Sequence, residues 1–177
     1  MKDLVIIGCG GFGREVADVV DAINEVELRW RTVGFVDDDP RDVDLDRVHR
    51  RGSTILGTLT GSAPFARGTH YVVAIGHGPT RERVAGRALE IGLTAATLVH
   101  PYASIGANVT IGAGSVICSH VDVGADSTIG SHVHLDRATQ VGHDSILADY
   151  TTVHPAAVIS GSCRTGTASE LGTNCTL

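Results

Sequence analysis

The residues best suited to acid–base chemistry in this chain are the adjacent pair His143 and Asp144. A neutral imidazole can accept a proton near neutral pH, which makes histidine the commonest general base in enzymes. A neighbouring carboxylate can orient or polarise that imidazole. The pair therefore predicts a site at which a proton is removed from an attacking group, with His143 as the base.

The nine histidines raise the alternative of a metal site. His132 and His134 are two residues apart and could share one face of a strand, but the spacing of the others fixes no third ligand. The four cysteines lack metal-type pairs such as C-x-x-C. We therefore predict that the chain uses no metal.

A glycine loop is the second candidate site. Its spacing, Gly8-x-Gly10-x-x-Gly13, lies between an apolar strand and a helical pattern. In that context the free N–H groups at the helix N-terminus favour a phosphate. Asp37 and Asp38 end the next predicted strand and could accept hydrogen bonds from a ribose or base. The alternative for these two carboxylates is a solvated acidic turn.

The elements around the glycine loop amount to about one βαβ unit with extra strands. A dinucleotide needs two such units, so the sequence favours a single nucleotide, or a nucleotide joined to something small, over NAD. The predicted elements are a strand entering the loop, a helix at 14–23, a strand at 32–39, a surface loop at 40–52, a short segment at 54–59, a loop at 62–68, a strand at 71–75, a helix at 79–91 and a strand at 94–98.

The second half of the chain, from Val99 to Leu177, repeats every six residues without an insertion. Thirteen of its fourteen hexad starts are Val, Ile or Leu, and the fifth position is small or β-branched. This pattern predicts a hexapeptide β-helix in which three hexads form one coil and the first and fifth positions point inward. Glycine fills seven of the thirteen second positions, which we interpret as corners that need φ above zero.

Charge divides the chain at the same place. Residues 1–98 carry 12 of the 14 Lys and Arg and 14 of the 20 Asp and Glu, and the whole chain has a net charge of −6. No basic face is predicted, so we expect neither nucleic acid nor a membrane surface as a partner. No apolar run approaches the roughly 18 residues of a membrane span, and no signal-peptide pattern opens the chain. We predict a cytoplasmic protein.

Six segments in order along the chain carry a resemblance: IGCGGFGREV at 7–16, VGFVDD at 33–38, ILG at 55–57, VAIG at 73–76 followed by Arg81, LVHP at 98–101 and GHD at 142–144. Together they resemble sugar acyltransferases of the sialic acid O-acetyltransferase (NeuD) type, which include N-acetyltransferases of UDP-linked amino sugars. The resemblance implies a left-handed β-helix that forms a homotrimer. It also implies a small α/β domain that binds a nucleotide sugar, and acetyl-CoA bound along the helix between neighbouring subunits.

The resemblance implies roles for individual residues. His143 corresponds to the general base and Asp144 to the acid beside it. The positions that would bind the substrate are Gly10, Gly11, Phe12, Asp37, Asp38 and Gly57. Those that would bind the cofactor are Thr152, Gly161 and Thr173.

These observations combine into an α/β plus β-solenoid prediction. A Rossmann-like nucleotide-sugar-binding domain at residues 1–98 precedes a left-handed parallel β-helix acyltransferase domain at 99–177. The predicted reaction moves an acetyl or other acyl group from acyl-CoA to an amino or hydroxyl group of a nucleotide-linked sugar, preferably a UDP-sugar. The thioester is already activated, so no nucleophilic side chain is needed. The alternative is a non-catalytic nucleotide-sugar-binding or scaffold subunit, which does not need His143.

The last hexad, which opens at Leu177, is not completed. A solenoid needs a covered terminal coil to hide its last hydrogen-bonding edge and its interior. We therefore expect that the β-helix is incomplete at this end, that a neighbouring molecule covers it, or that acyl-CoA binding is impaired. The resemblance implies further coils that carry part of the acyl-CoA wall, so we expect this segment by itself to bind acetyl-CoA weakly.

Overall fold

The structure is a computed structural model that describes residues 1–59, 65–66 and 68–177. It divides into two compact units: unit 1 comprises Met1–Ile75 and Arg83–Ala96, and unit 2 comprises Gly76–Glu82 and Thr97–Leu177. The segment Gly76–Glu82 therefore clusters with the hexapeptide region although it precedes it in the chain. The domain limits 1–98 and 99–177 stay predictions. Most of the predicted loop at 62–68 lies outside the described residues.

Unit 1 is built on a parallel sheet with the strand order β2-β1-β3-β4. The apolar run of β1 is buried at its four last residues, and α1 buries a helical stripe against the unit. The bounds are β1 (Lys2–Ile7), α1 (Gly11–Val26), β2 (Trp30–Val36), α2 (Asp42–Arg50), β3 (His70–Val73), α3 (Gly78–Glu90) and β4 (Thr94–Ala95). The chain order reverses at β1, so the carboxyl ends of β1 and β3 mark the place where such sheets bind ligands.

Helix α2 corrects the prediction of a surface loop at 40–52. Only Asp44 and Val48 of this nine-residue helix are buried. One aspartate and one valine at i and i+4 are too few to show a helical period among charged residues, so the sequence pattern concealed the helix.

The predicted strand at 94–98 is interrupted. β4 pairs with β3, whereas β5 (Leu98–Val99) pairs with β8 (Val116–Ile117) as the first strand of the β-helix. The predicted short segment at 54–59 forms a single bridge, between Ile55 and Phe35. Within the described residues no helix is both long enough and apolar enough to cross a membrane.

The β-helix of unit 2 follows the six-residue period. Each two-residue strand joins the sixth position of one hexad to the first position of the next, and parallel partners lie one coil apart, as Ile111, Ile129 and Leu147 do. The further strands are β6 (Ser104–Ile105), β7 (Thr110–Ile111), β9 (Asp122–Val123), β10 (Thr128–Ile129), β11 (His134–Leu135), β12 (Gln140–Val141), β13 (Ile146–Leu147), β14 (Thr152–Val153), β15 (Val158–Ile159) and β16 (Glu170–Leu171). They form three sheets, ordered β13-β10-β7, β16-β14-β11-β8-β5 and β15-β12-β9-β6.

In the middle coils the inward positions are filled as the pattern predicts, whereas the hexad starts Ile105 and Leu177, near the two ends, are exposed. The hexad starts from Ile117 to Ile159 are buried, and so are fifth-position residues such as Ser127 and Thr139. Each coil therefore contributes its own aliphatic layer, at about 1.5–3 kcal/mol per buried side chain.

The role assigned to the second-position glycines was wrong. Positive φ occurs at the fourth position of every complete hexad from Ile105 onward, mostly on residues other than glycine, such as Asn108 and Asp144. The second-position glycines at 106, 112, 124, 130 and 142 are needed for a different reason, which is the close approach of the next coil. A Cβ added at Gly112 would lie 2.5 Å from the carbonyl carbon of Gly130 and from the nitrogen of Ser131. Backbone stacking, rather than φ, excludes a side chain there.

We expect Gly112→Ala to lower the free energy of unfolding by about 1–3 kcal/mol, the usual cost of overpacking a tight contact. Gly172→Ala is the matched control, because a Cβ at Gly172 would meet no atom within 4 Å. Urea unfolding of both variants measures the difference. Equal stability of the two variants would contradict the stacking argument.

Candidate active site

His143 and Asp144 lie together at a corner of the β-helix, immediately after β12. Nδ1 of His143 is 2.6 Å from Oδ2 of Asp144. Both side chains are open to solvent, with 69% and 59% of their surfaces exposed. An ionised carboxylate only accepts hydrogen bonds, so Nδ1 is the donor of this pair, and in the neutral imidazole Nε2 carries the lone pair. The arrangement leaves Nε2 as an accessible proton acceptor.

The neighbouring coils hold this corner through its backbone. The His143 carbonyl accepts from the N–H of Ser162 at 2.7 Å, and the Asp144 N–H donates to the carbonyl of Ala125 at 3.0 Å. Asp144 has φ of 56°, in the left-handed region. An aspartate tolerates that region better than most residues do, and the two hydrogen bonds hold it there.

Gly161 lies one coil beyond His143 and faces its imidazole ring. A Cβ at Gly161 would stand 2.8 Å from Nε2 and 2.9 Å from Cε1 of His143. Among the predicted cofactor residues, Gly161 is therefore the one that the structure brings to the His143 corner. A coil of three hexads has 18 residues, which is the separation of Gly161 from His143 in the sequence. The six-residue period alone therefore predicts that these two residues lie in neighbouring coils.

The other two predicted cofactor residues lie elsewhere in unit 2. Thr173 is exposed and follows β16, so it belongs to a different corner from His143. Thr152 is buried in β14. Its hydroxyl donates to the carbonyl of Gly76 at 2.6 Å and accepts from Nη2 of Arg81 at 2.9 Å. The Thr152 hydroxyl is thus used inside the chain.

Arg81 carries part of the sequence resemblance, but the sequence predicted no role for it. It is 0% exposed and heads the fully buried side chains by volume. Its guanidinium donates to the carbonyls of His132 (2.8 Å), Gly76 (2.8 Å) and Tyr150 (2.5 Å). Burial lowers its pKa to about 10. Arg81 therefore fixes the segment 76–82 to two successive coils, and an isolated arginine in a helical pattern gave no signal of this.

His132 is buried in the same cluster and stacks on Tyr150, with ring centroids 5.3 Å apart and planes inclined by 3°. Burial, and then the positive charge of Arg81, lower its pKa from 6.5 to about 4, against the opposing effect of Asp149. The folded chain therefore keeps this imidazole neutral under mildly acidic conditions.

We expect the protein to lose stability as the pH falls below about 6.5. In that range the unfolded chain takes up a proton at His132 that the folded chain takes up only near pH 4. This proton uptake stabilises the unfolded state, so the free energy of unfolding falls by roughly 2 kcal/mol between pH 7 and pH 5. The measurement is urea unfolding at both pH values. His132→Phe keeps a ring beside Tyr150 and should show a smaller loss. An equal loss in both proteins would refute the assignment to His132.

In unit 1, the predicted substrate residues gather at the carboxyl edge of the sheet. Gly10 precedes α1 without a side-chain cap, and α1 begins with Gly11 and Phe12. A Cβ at Gly10 or Gly11 would meet no atom within 4 Å, so the loop faces open space. The loop follows β1 and is held to the end of β2, since the Gly8 N–H donates to the Val36 carbonyl at 2.7 Å.

Asp37 and Asp38 hold the loops around this edge. Asp37 Oδ2 accepts from the Cys9 N–H at 2.9 Å, and Asp38 Oδ1 accepts from the Leu59 N–H at 2.8 Å. The Asp37 N–H donates to the Gly57 carbonyl at 3.2 Å. The structure thus brings Asp37, Asp38 and Gly57 together with the glycine loop, and each carboxylate retains acceptor capacity for a ligand.

Burial, with the nearby Asp37 carboxylate, raises the pKa of the Cys9 thiol to about 12. The thiol therefore stays protonated near neutral pH and is a poor nucleophile. Within the described parts of the chain, no three His, Cys, Asp or Glu side chains are placed to hold a metal ion.

Two family models match the chain. The PglD N-terminal domain model matches residues 3–88. The model of the bacterial transferase hexapeptide, six repeats, matches residues 102–137. A comparison with curated protein sequences gives no significant match.

Solved structures match over nearly the whole chain. The acetyltransferase domain of PglB from Neisseria gonorrhoeae, in complex with acetyl coenzyme A, is 27% identical with a TM-score of 0.83, covering 99% of this chain and 81% of that one. A mutant of perosamine N-acetyltransferase from Caulobacter crescentus, in complex with CoA and GDP-perosamine, is 22% identical with a TM-score of 0.72, covering 96% and 77%. WeeI from Acinetobacter baumannii is 16% identical with a TM-score of 0.68, covering 97% and 95%.

These matches confirm the predicted fold class, a Rossmann-like α/β unit followed by a hexapeptide β-helix. The perosamine N-acetyltransferase and WeeI are less than 25% identical to this chain, so these two matches support the fold alone. The more specific resemblance, to the sialic acid O-acetyltransferase type, stays a prediction.

Proposed function

We propose that this chain is an acyltransferase that moves an acetyl group from acetyl-CoA to an amino or hydroxyl group of a nucleotide-linked sugar. His143 acts as the general base. It removes the acceptor's proton as the acceptor attacks the thioester carbonyl, and the CoA thiolate leaves. Backbone N–H groups of the coil stabilise the oxyanion of the tetrahedral intermediate.

The observation that carries the proposal is the His143–Asp144 hydrogen bond, which leaves Nε2 free on an exposed corner of a hexapeptide β-helix. A general base needs both an available lone pair and access to its substrate. The likeness to the acetyltransferase domain of PglB, solved with acetyl coenzyme A, supports the choice of acyl donor.

Unit 1 is proposed to bind the nucleotide sugar through the glycine loop, Asp37, Asp38 and Gly57. The loop offers backbone N–H groups to a diphosphate, and the carboxylates offer acceptors to a ribose or base. We keep UDP as the preferred nucleotide. GDP is the comparison to test, because the perosamine N-acetyltransferase was solved with GDP-perosamine.

Unit 2 is proposed to bind acetyl-CoA along the β-helix, with Gly161 leaving room for both the imidazole and the acyl group. Thr173 remains a proposed contact for the cofactor. Thr152 also remains a proposed contact, through atoms other than its hydroxyl, which Arg81 and Gly76 already use. We retain the homotrimer, the cytoplasmic location and the relation to sialic acid O-acetyltransferases as parts of the proposal.

A direct assay tests the reaction. The purified chain is incubated with acetyl-CoA and a panel of UDP- and GDP-linked amino sugars and their hydroxyl analogues, and released CoA thiol is measured with a disulfide reagent. We expect CoA release that depends on the sugar nucleotide, and a product heavier by one acetyl group in mass spectrometry. Sugar binding in calorimetry without CoA release would instead support the non-catalytic subunit.

A further inference from the structure

A cluster of ion pairs around one buried carboxylate lies beside the glycine loop in unit 1. Asp44 of α2 is 3% exposed. Its carboxylate accepts from Nη1 of Arg14 at 2.8 Å and from Nε of Arg41 at 2.6 Å, and Nη1 of Arg47 lies 3.7 Å away. The hydrogen bonds from Arg41 and Arg14 hold the pKa of Asp44 below its usual value. The carboxylate is therefore ionised at neutral pH and fixes the position of Arg14.

Arg14 connects this cluster to the glycine loop. The same Nη1 atom that binds Asp44 also donates to the Cys9 carbonyl at 3.1 Å. On its other side, the Cys9 N–H donates to Asp37 at 2.9 Å. Both backbone polar groups of Cys9 are thus held by charged side chains, which are stronger partners than neutral ones.

The direction of the Cys9 carbonyl determines the direction of the next N–H group. A trans peptide is planar, with its C=O and N–H pointing in opposite directions. Holding the Cys9 carbonyl towards Arg14 therefore turns the Gly10 N–H away from Arg14. Gly10 has open space where a side chain would stand, and it precedes a helix without a capping side chain. An anionic ligand group at this helix N-terminus would meet a preset donor.

We propose that Asp44 is a positioning residue, which fixes the Cys9–Gly10 peptide through Arg14 so that the glycine loop presents its N–H groups to the phosphates of the nucleotide sugar. The identity of the ligand rests on the proposed function. Asp44 itself does not touch the ligand. Its effect is to keep the loop in the binding conformation before the ligand arrives, which lowers the ordering cost of binding.

Asp44→Asn tests this role with little change in side-chain volume. The amide offers one acceptor where the carboxylate offered two oxygens, and its NH₂ group faces guanidinium groups. We expect amide hydrogen exchange at Gly8 and Cys9, the loop residues whose N–H groups are hydrogen-bonded to Val36 and Asp37, to quicken about tenfold. We also expect the KM for the nucleotide sugar to rise about tenfold, while kcat and the KM for acetyl-CoA change less than about twofold. Asp44→Glu, which restores the charge, should recover part of the loss.

Arg51→Ala is the matched control. Arg51 follows α2 and binds Asp18 and Asp21 on α1, so its removal also cuts an ionic link to α1, at a place away from the loop. We expect this variant to keep wild-type exchange at Gly8 and Cys9 and a wild-type KM. Should Asp44→Asn fail to fold, Arg14→Met breaks the same link to the Cys9 carbonyl.

Three results would overturn the proposal: unchanged loop exchange in Asp44→Asn, faster exchange with an unchanged KM, or equal effects from Arg51→Ala. The exchange measurement needs no ligand, so it can refute the ordering of the loop even where no sugar is turned over. Absence of turnover with every nucleotide sugar in the wild-type chain would instead refute the proposed function.

Discussion

Replacing His143 with alanine is expected to lower kcat by about 10²–10⁴-fold, the usual contribution of a general base. The loss should fall on kcat because the imidazole acts on the proton transferred in the transition state. The side chain is exposed and its partner Asp144 is solvated. The melting temperature and the affinity for nucleotide sugar should therefore stay close to wild type.

Two further variants make the His143 result specific. Asp144→Asn should cost less than His143→Ala, because the amide oxygen can still accept a hydrogen bond from Nδ1. His120→Ala removes another exposed β-helix histidine, which stacks on Tyr102 at 5.9 Å, and should leave kcat near wild type. CoA release under saturating substrates measures all three. Wild-type kcat in His143→Ala would exclude this histidine as the base.

Removing the Arg81 guanidinium is expected to cause the largest loss of stability. Arg81→Met would leave the carbonyls of His132 and Tyr150 without this donor, while the Gly76 carbonyl would keep the Thr152 hydroxyl as its donor. Each buried group left unsatisfied costs about 1–3 kcal/mol, so the loss of two partners should lower the free energy of unfolding by about 2–6 kcal/mol. That is a large share of the roughly 5–15 kcal/mol that stabilises a typical domain.

The comparison for Arg81 is Arg87→Met, which removes an exposed arginine from the same helix α3. We expect this variant to unfold within about 0.5 kcal/mol of wild type. Arg81→Lys keeps the charge but loses the planar set of donors, so it should lie between the two and gives a value if Arg81→Met does not fold. Urea unfolding measures each. Equal midpoints for the Arg81 and Arg87 variants would show that the buried hydrogen bonds add little.

The amino-acid sequence by itself determined the β-helix and the strand–glycine loop–helix start of unit 1. Both are encoded locally. Each hexad has its own aliphatic residue that points inward, such as Ile129, and the next hexad has the same pattern. The His143–Asp144 pair was equally visible, because adjacent residues need no fold to bring them together.

The tertiary structure alone decided which distant residues meet, because contacts between coils and elements depend on stacking that no local pattern records. Arg81 finds partners 51 to 71 residues away. Asp44 lies 30 residues from Arg14, in a helix too short to show a period. The glycine error has the same origin: the close approach of the next coil, rather than φ, excludes a side chain at Gly112.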